Sequence, residues 1–222
     1  MTLEGRKIST SKNYAIWIKD LLDNYEADSI RYFFIANGPE KKDADFSWRE
    51  YINSHNGELL GAYGNFVNRS LTFIIKYWDG VVPEGALTPE INRNIEYLFT
   101  NVGRKIEDGN FKDALEEIFD LIRGANKFFD SEQPWITRTT DEEKCKNTLY
   151  QCVQIIANLA VLLAPFLPFS SDKVSSWLDI TLDWRQKSIL AGYKLPEVEI
   201  LFQRIDKKVI DIESEKLKLI VK

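Results

Sequence analysis

The sequence predicts an all-α fold: a bundle of four or five long helices preceded by a short loop-and-helix region. Three observations predict it. Apolar residues recur at three- and four-residue spacing through most of the 222 positions. Start and stop residues punctuate those stretches at helical lengths. Alternating apolar runs are confined to short pieces near Val198 and Leu219, too little to build a sheet core.

Taken in order, Trp17, Leu21, Leu22 and Tyr25 give a short first helix. Ala27 to Asn37 gives a second, with Ile30, Phe33 and Phe34 on one face and Gly38-Pro39 as its stop. Pro39 to Phe46 is polar and charged and reads as a loop. Ser47-Trp48-Arg49-Glu50 has the form of a capping box, serine at N-cap and glutamate at N3. It opens a long helix through Tyr51, Leu59, Leu60, Tyr63, Phe66, Val67, Leu71, Ile74 and Ile75 to Trp78. Gly57, Gly61 and Gly64 lie inside it, each costing up to about 1 kcal/mol of helix propensity, so a kink or a close helix contact is expected there. Asp79 to Gly85 is a turn. Thr88-Pro89 starts the next helix, proline suiting the first helical position, and Ile91, Ile95, Leu98, Val102 and Ile106 mark its buried stripe. Asp108-Gly109-Asn110 breaks it, and Asn110 can cap a helix running through Phe129. Ser131 to Thr139 reads as a loop. Thr140-Asp141-Glu142-Glu143 is a second capping box, opening a long apolar helix to about Leu163 that Ala164-Pro165 ends. Phe169 to Leu178 is a short helix, Thr181 to Tyr193 is irregular, and Pro196 to Lys222 is a charged amphipathic segment.

At 44% hydrophobic and 13% aromatic residues the chain can bury a substantial core. Lys and Arg number 29 against 34 Asp and Glu, a net charge of −5. That balance opposes broad, sequence-blind nucleic-acid binding, which needs a positive field to release counterions. It leaves room for a local site in which a few side chains read splayed-out bases. Cys145 and Cys152 fall on one helix face about 10 Å apart, too far for a disulfide, and read as small buried hydrophobes. One histidine and no Cys-x-x-Cys pair give no expectation of a metal site. No signal peptide is visible. Ile155 to Phe169 is apolar but holds Asn158 and two prolines and falls short of the roughly 20 residues that span a bilayer, so it reads as a buried helix end. A soluble cytoplasmic protein without membrane contact is expected.

Three groups of residues bear on chemistry. Lys7-Ile8-Ser9-Thr10-Ser11-Lys12 follows Leu3-Glu4-Gly5-Arg6. Its ammonium groups and small hydroxyls suit phosphate oxygens, and a flexible loop of this kind can close over a triphosphate; solvated loops share the composition. Asn65 and Arg69, four apart on one helix face, can hydrogen-bond base edges and stack on a base plane, or be an ordinary polar surface. Trp135, in the predicted loop behind Pro134, can offer its ring to an unstacked base or anchor the loop in the bundle. The other aromatics Trp48, Trp78, Trp177 and Trp184 read as packing residues, and His55 as structural or exposed. Glu116-Glu117 and Glu142-Glu143 read as solvated helix faces or caps, and Lys207-Lys208 is too short for a basic arm.

The Lys7–Lys12 stretch resembles the KMSKS loop of class I aminoacyl-tRNA synthetases. Asn13-Tyr14-Ala15-Ile16-Trp17-Ile18 and Asp28-Ser29-Ile30-Arg31-Tyr32-Phe33-Phe34 are similar to the methionyl family in particular. So are Asp43-Ala44-Asp45-Phe46-Ser47-Trp48, Gly64-Asn65-Phe66-Val67-Asn68-Arg69, Gln133-Pro134-Trp135 and Leu163-Ala164-Pro165-Phe166-Leu167-Pro168. The resemblance covers nearly the whole chain with its motifs in the family's order. It implies participation in ATP-dependent attachment of methionine to its tRNA, with ATP and Mg as cofactors of the parent enzyme. It places ATP on Lys7, Ser9, Thr10, Ser11 and Lys12, with Lys7 and Lys12 as catalytic residues. It implies tRNA-Met as partner, its CAU anticodon read by Asn65 and Arg69 and stacked on Trp135.

Thr10 departs from the pattern, standing where the family has its second lysine. Lys12 then takes over that charge, or the reaction leans on Lys7. The resemblance divides the chain into a KMSKS-like loop and stem-contact region (1–50), an anticodon-binding helical bundle (51–195) and a C-terminal amphipathic helix or extension (196–222). The family's Rossmann-type domain and zinc-bearing insertion lie upstream of this loop, and the six residues before Lys7 cannot hold a nucleotide-binding sheet. The missing catalytic domain is therefore expected as a partner, and the chain by itself is not expected to activate methionine. A class I synthetase for cysteine, leucine, isoleucine or valine shares the loop and a helical anticodon domain. A helical protein-interaction scaffold derived from this domain fits the negative charge and Thr10.

Overall fold

Ten α-helices are assigned among the described residues, and the longest sit where the apolar periodicity is longest. The computed structural model describes residues 1–12, 14–40 and 43–220. Asn13 at the head of the Asn13–Ile18 segment, two positions of the 39–46 loop and the last two of the 196–222 segment lie outside it. Helix α1 spans Ile18–Asn24 and α2 Ala27–Asn37, the latter with the limits that Gly38-Pro39 predicts. Helix α3 (Trp48–Ser54), a π-helical stretch (His55–Gly64) and α4 (Asn65–Tyr77) follow without interruption. Then come α5 (Pro89–Glu107), α6 (Phe111–Glu132), α7 (Pro134–Thr140), α8 (Glu142–Leu163), α9 (Pro168–Leu178) and α10 (Lys208–Ile220).

The irregularity expected at the glycines is the π-helical stretch. In this wider helix a Cβ at Gly61 would sit 2.9 Å from the Asn56 carbonyl oxygen, and one at Gly64 3.0 Å from that of Leu59. Both clashes are with the residue five back, so glycine is what lets the i−5 carbonyls approach. Gly64 also admits Phe202, whose Cδ2 would lie 3.3 Å from such a Cβ.

Four local expectations are corrected. Ser47 makes no side-chain cap on α3; the Trp48 amide donates instead to Glu4 Oε1 at 2.8 Å. A remote carboxylate displaces the local hydroxyl because full charge at a helix N-terminus binds more strongly. Thr140 is not the second N-cap: Asp141 is, its carboxylate accepting from the Lys144 amide at 3.1 Å. Residues 131–139 are not a loop, since α6 runs to Glu132 and α7 begins at Pro134. The alternating piece near Leu219 lies in α10. There Val209, Ile210 and Leu217 follow helical spacing and pack against the N-terminal apolar cluster.

That cluster also carries a small sheet, one strand of which, Asp45–Phe46, falls within the 39–46 stretch that reads as a loop. Strand β1 (Thr2–Leu3) pairs antiparallel with β2 (Arg6–Lys7) and parallel with β3 (Asp45–Phe46), in the order β2-β1-β3. Leu3, Tyr14, Leu21, Ile30, Phe33, Phe46, Trp48, Tyr51, Ile52 and Leu217 form its buried core. The larger core centres on α8, in which every residue from Gln151 to Leu163 is buried. Cys145 and Cys152 are both buried free thiols there, and burial pushes Cys152 up to about 12. Among the described residues no helix is long and apolar enough to cross a membrane. Arg31 of α2 ties the two cores together, donating to the carbonyls of Pro165 and Phe166 at 2.8 Å each.

His55 is buried, not exposed. Its Nε2 donates to the Gln203 carbonyl at 2.7 Å, leaving Nδ1, 2.8 Å from Ser29 Oγ, as the acceptor of the neutral tautomer. Burial lowers its pKa from the ordinary 6.5. The unfolded chain therefore binds a proton that the folded chain resists. This contribution to stability is complete above about pH 6.5 and is lost as the pH falls below it. The carboxyls of Asp28 and Glu26, both raised chiefly by burial, act in the opposite sense. Melting temperature is expected to fall between about pH 7 and 5.5, and His55→Asn should flatten that slope. NMR titration of this single histidine checks the cause: a ring that protonates at its ordinary pKa in the folded protein overturns it.

Candidate nucleic-acid interface

Positions 65, 69, 73 and 76–77 follow one another at steps of three to four, so they form a stripe along α4. Helix α6 packs beside it and supplies Asn126, Phe129 and Asp130. Arg69 Nη1 donates to Asp130 Oδ1 at 2.8 Å, and Nη2 to the Asn126 carbonyl at 2.7 Å. The guanidinium lies over the Phe129 ring, Cζ 4.1 Å from its centroid. The Asn126 amide is fixed in turn by the carbonyls of Ala62 and Ile122, at 3.1 and 3.0 Å. Its Oδ1 accepts from Asn65 Nδ2 at 3.3 Å. Arg69 Nε is buried and has no partner among the described residues.

Trp135 reaches the same place from α7. Gln133 adopts a left-handed conformation (φ 47°) that turns the chain between α6 and α7, and Pro134 takes the first helical position. Trp135 then stands beside Phe129, ring centroids 6.2 Å apart and planes inclined by 37°, while 47% of its surface stays exposed. Lys144 pairs with Glu132 at 3.2 Å across the base of this turn. The structure thus gathers Asn65, Arg69 and Trp135 around one buried ring, Phe129, and one amide, Asn126. The sequence reading missed both supports. Phe129 entered it only as a helix end, although the Asn126-x-x-Phe129 spacing puts the two on one face of α6.

The arrangement presents a half-exposed indole, a stacked guanidinium and an amide within one concerted patch. Such groups can take an unstacked base between ring and guanidinium and hydrogen-bond its edge.

The lysine- and hydroxyl-rich stretch is a hairpin. Ser9 and Tyr14 exchange backbone hydrogen bonds of 2.9 and 2.8 Å, and Tyr14 Oη donates to the Leu3 carbonyl at 3.0 Å. Thr10, Ser11 and Lys12 lie at its exposed tip; Ser9 is half-buried at its base, and exposed Lys7 belongs to β2. Ser9 Oγ and Ser11 Oγ are 3.3 Å apart. Neither lysine forms an ion pair among the described residues, so both ammonium groups are free for an anion. This hairpin belongs to the N-terminal cluster, and no hydrogen bond or ring contact among the described residues joins it to the Phe129 patch. No trio of His, Cys, Asp or Glu among the described residues is arranged to hold a metal ion.

Comparison with known proteins adds a family to this geometry. A family model described as the anticodon binding domain of methionyl tRNA ligase matches residues 82–217. A second, described as tRNA synthetases class I (M), matches residues 1–71. Methionine–tRNA ligase 1 of Alkaliphilus oremlandii is 53% identical over 218 residues, 98% of this chain and 40% of the relative. Methionine–tRNA ligase of Bacillus cereus strain G9842 is 54% identical over the same shares. The chain thus spans about two fifths of the length of the curated relatives it matches. The crystal structure of Mycobacterium tuberculosis methionyl-tRNA synthetase bound by methionyl-adenylate shares the fold, with a TM-score of 0.84 at 24% identity over 91% of this chain and 42% of that one. A second structure of that synthetase with methionyl-adenylate gives a TM-score of 0.79 at 26% identity, over 91% and 43%.

Proposed function

The chain belongs to the family of the methionyl-tRNA ligase anticodon-binding domain, and on that premise we propose that it reads the CAU anticodon of tRNA-Met for an ATP-dependent methionine–tRNA ligase. The observation that carries this reading is the convergence of Asn65, Arg69 and Trp135 on Phe129 and Asn126. Trp135 stacks one unpaired base, and Arg69 and Asn65 hydrogen-bond base edges. Selectivity follows because a wrong base leaves these polar groups unpaired in a partly dry site.

The N-terminal hairpin is the nucleotide-facing element of the same reading. Lys7 and Lys12 supply charge to the triphosphate of Mg-ATP, with Ser9, Thr10 and Ser11 as neutral donors. The ammonium groups, without an ion pair among the described residues, and the exposed tip support it. The partition into 1–50, 51–195 and 196–222 belongs to the proposal as well, as does a cytoplasmic setting in which a catalytic domain works alongside this chain.

The test is a low-salt titration of the chain with an anticodon stem-loop bearing CAU and with the same stem-loop changed at one anticodon base. A clear preference for CAU is expected. Trp135→Ala should weaken the cognate complex by about 1–3 kcal/mol while far-ultraviolet circular dichroism stays unchanged, since half of the indole is already in water. Equal affinity for both stem-loops would overturn the reading, and loss of helicity in the variant would make Trp135 a structural anchor.

A further inference from the structure

Beyond the three residues assigned to the triplet, the α4 stripe continues to Lys76 and Tyr77, and the face of α7 continues from Trp135 to Arg138 one turn on. These two ends meet. The Arg138 guanidinium lies over the Tyr77 ring, Cζ 4.2 Å from its centroid, and Lys76 Nζ is 5.1 Å from the same centroid. Tyr77 is 38% exposed and rests on Phe73 at 4.6 Å. Phe73 in turn lies 6.4 Å from Phe129. One aromatic row therefore runs from Trp135 through Phe129 and Phe73 to Tyr77.

The two cations at the far end of this row share one ring and differ in pairing from Arg69 at its start, on a chain that is acidic as a whole. Its net charge is −5, and Arg69, Arg123, Lys105, Lys144 and Lys146 all have carboxylate partners. Lys76 and Arg138 have none among the described residues. Two uncompensated cations held over one half-exposed ring form a site for a singly charged, diffuse anion beside a stacking surface. A nucleotide of a single-stranded loop has that chemistry.

We propose that Lys76, Tyr77 and Arg138 hold the sugar-phosphate backbone of a nucleotide that flanks the anticodon triplet. The contact is to phosphate, so it adds affinity and fixes the direction of the loop across the row without choosing among triplets. It rests on the anticodon reading above, because the row starts at Trp135.

The experiment measures stem-loop affinity against salt for the wild-type chain, Arg138→Gln and the Lys76→Gln/Arg138→Gln pair, each with the CAU loop and a loop of changed triplet. Each lost cation should flatten the slope of log affinity against log salt by about 0.7, the value for single strands. Both loops should weaken by the same factor, leaving their ratio intact. Two results overturn the inference while the anticodon reading stands: a wild-type preference for CAU with unaltered affinity and slope in the variants, or a changed preference among triplets, which would make these residues base readers. No wild-type preference for CAU would instead refute the anticodon reading beneath it. Circular dichroism guards against misfolding, which substitution of exposed Lys76 and half-buried Arg138 is not expected to cause.

Discussion

Arg69→Ala is expected to reduce affinity for a CAU stem-loop by about 3 kcal/mol, more than a hundredfold in Kd, and to erase discrimination against changed triplets. The side chain is held in place before any ligand arrives. Phe129 lies beneath the guanidinium at 4.1 Å, and the Asn126 carbonyl holds Nη2 at 2.7 Å. Nη1, turned to Asp130, is the donor that can exchange an exposed carboxylate for a base edge at little cost. Alanine removes the donors, the charge and the upper wall of the stacking slot together, so its effect should exceed that of Trp135→Ala, which removes a ring alone. The Asp130 ion pair itself should contribute no more than about 1 kcal/mol to folding, because that partner is 60% exposed. Arg69→Lys separates the terms: it keeps the charge but not the planar fork, so nonspecific affinity should return and triplet discrimination should not. Full discrimination by the lysine variant would show that charge suffices.

The parts of this site that were readable in the sequence were those set by period. Asn65 and Arg69 share a face because they are four apart on a helix whose apolar pattern is continuous. Helix α8 is plain for the same reason, its buried stretch running unbroken from Gln151 to Leu163. What could not be read depends on contacts made at a distance. The cap on α3 comes from Glu4, 44 positions away. The two-residue strands are too short to show an alternation. Helix α7 hid because a left-handed Gln133 does the work that a glycine would have announced. The Phe129 platform carries no motif, since a buried ring under an arginine looks like any other core aromatic.

The largest effect on the fold is expected from two buried amides that the sequence shows only as polar interruptions of an apolar helix. Gln154 and Asn158 lie one turn apart on α8, facing the irregular segment after α9. Gln154 Nε2 donates to the Ile189 carbonyl and Oε1 accepts from the Ile189 amide, both at 2.9 Å. Asn158 does the same for Lys187, at 2.9 Å to its carbonyl and 2.8 Å from its amide. Lys187 and Ile189 are alternate residues, so the two side chains serve the segment as a neighbouring strand would, satisfying backbone groups where no strand exists. Asn158→Leu keeps the branched shape but strands one amide and one carbonyl, each costing about 1–3 kcal/mol, for a loss of about 2–6 kcal/mol. Urea denaturation measures it. Gln154→Leu should cost a similar amount, and the double variant clearly less than the sum, because the first substitution already frees the segment to find water. Strict additivity would mean that each amide holds its own residue and that residues 187–189 do not detach as a unit.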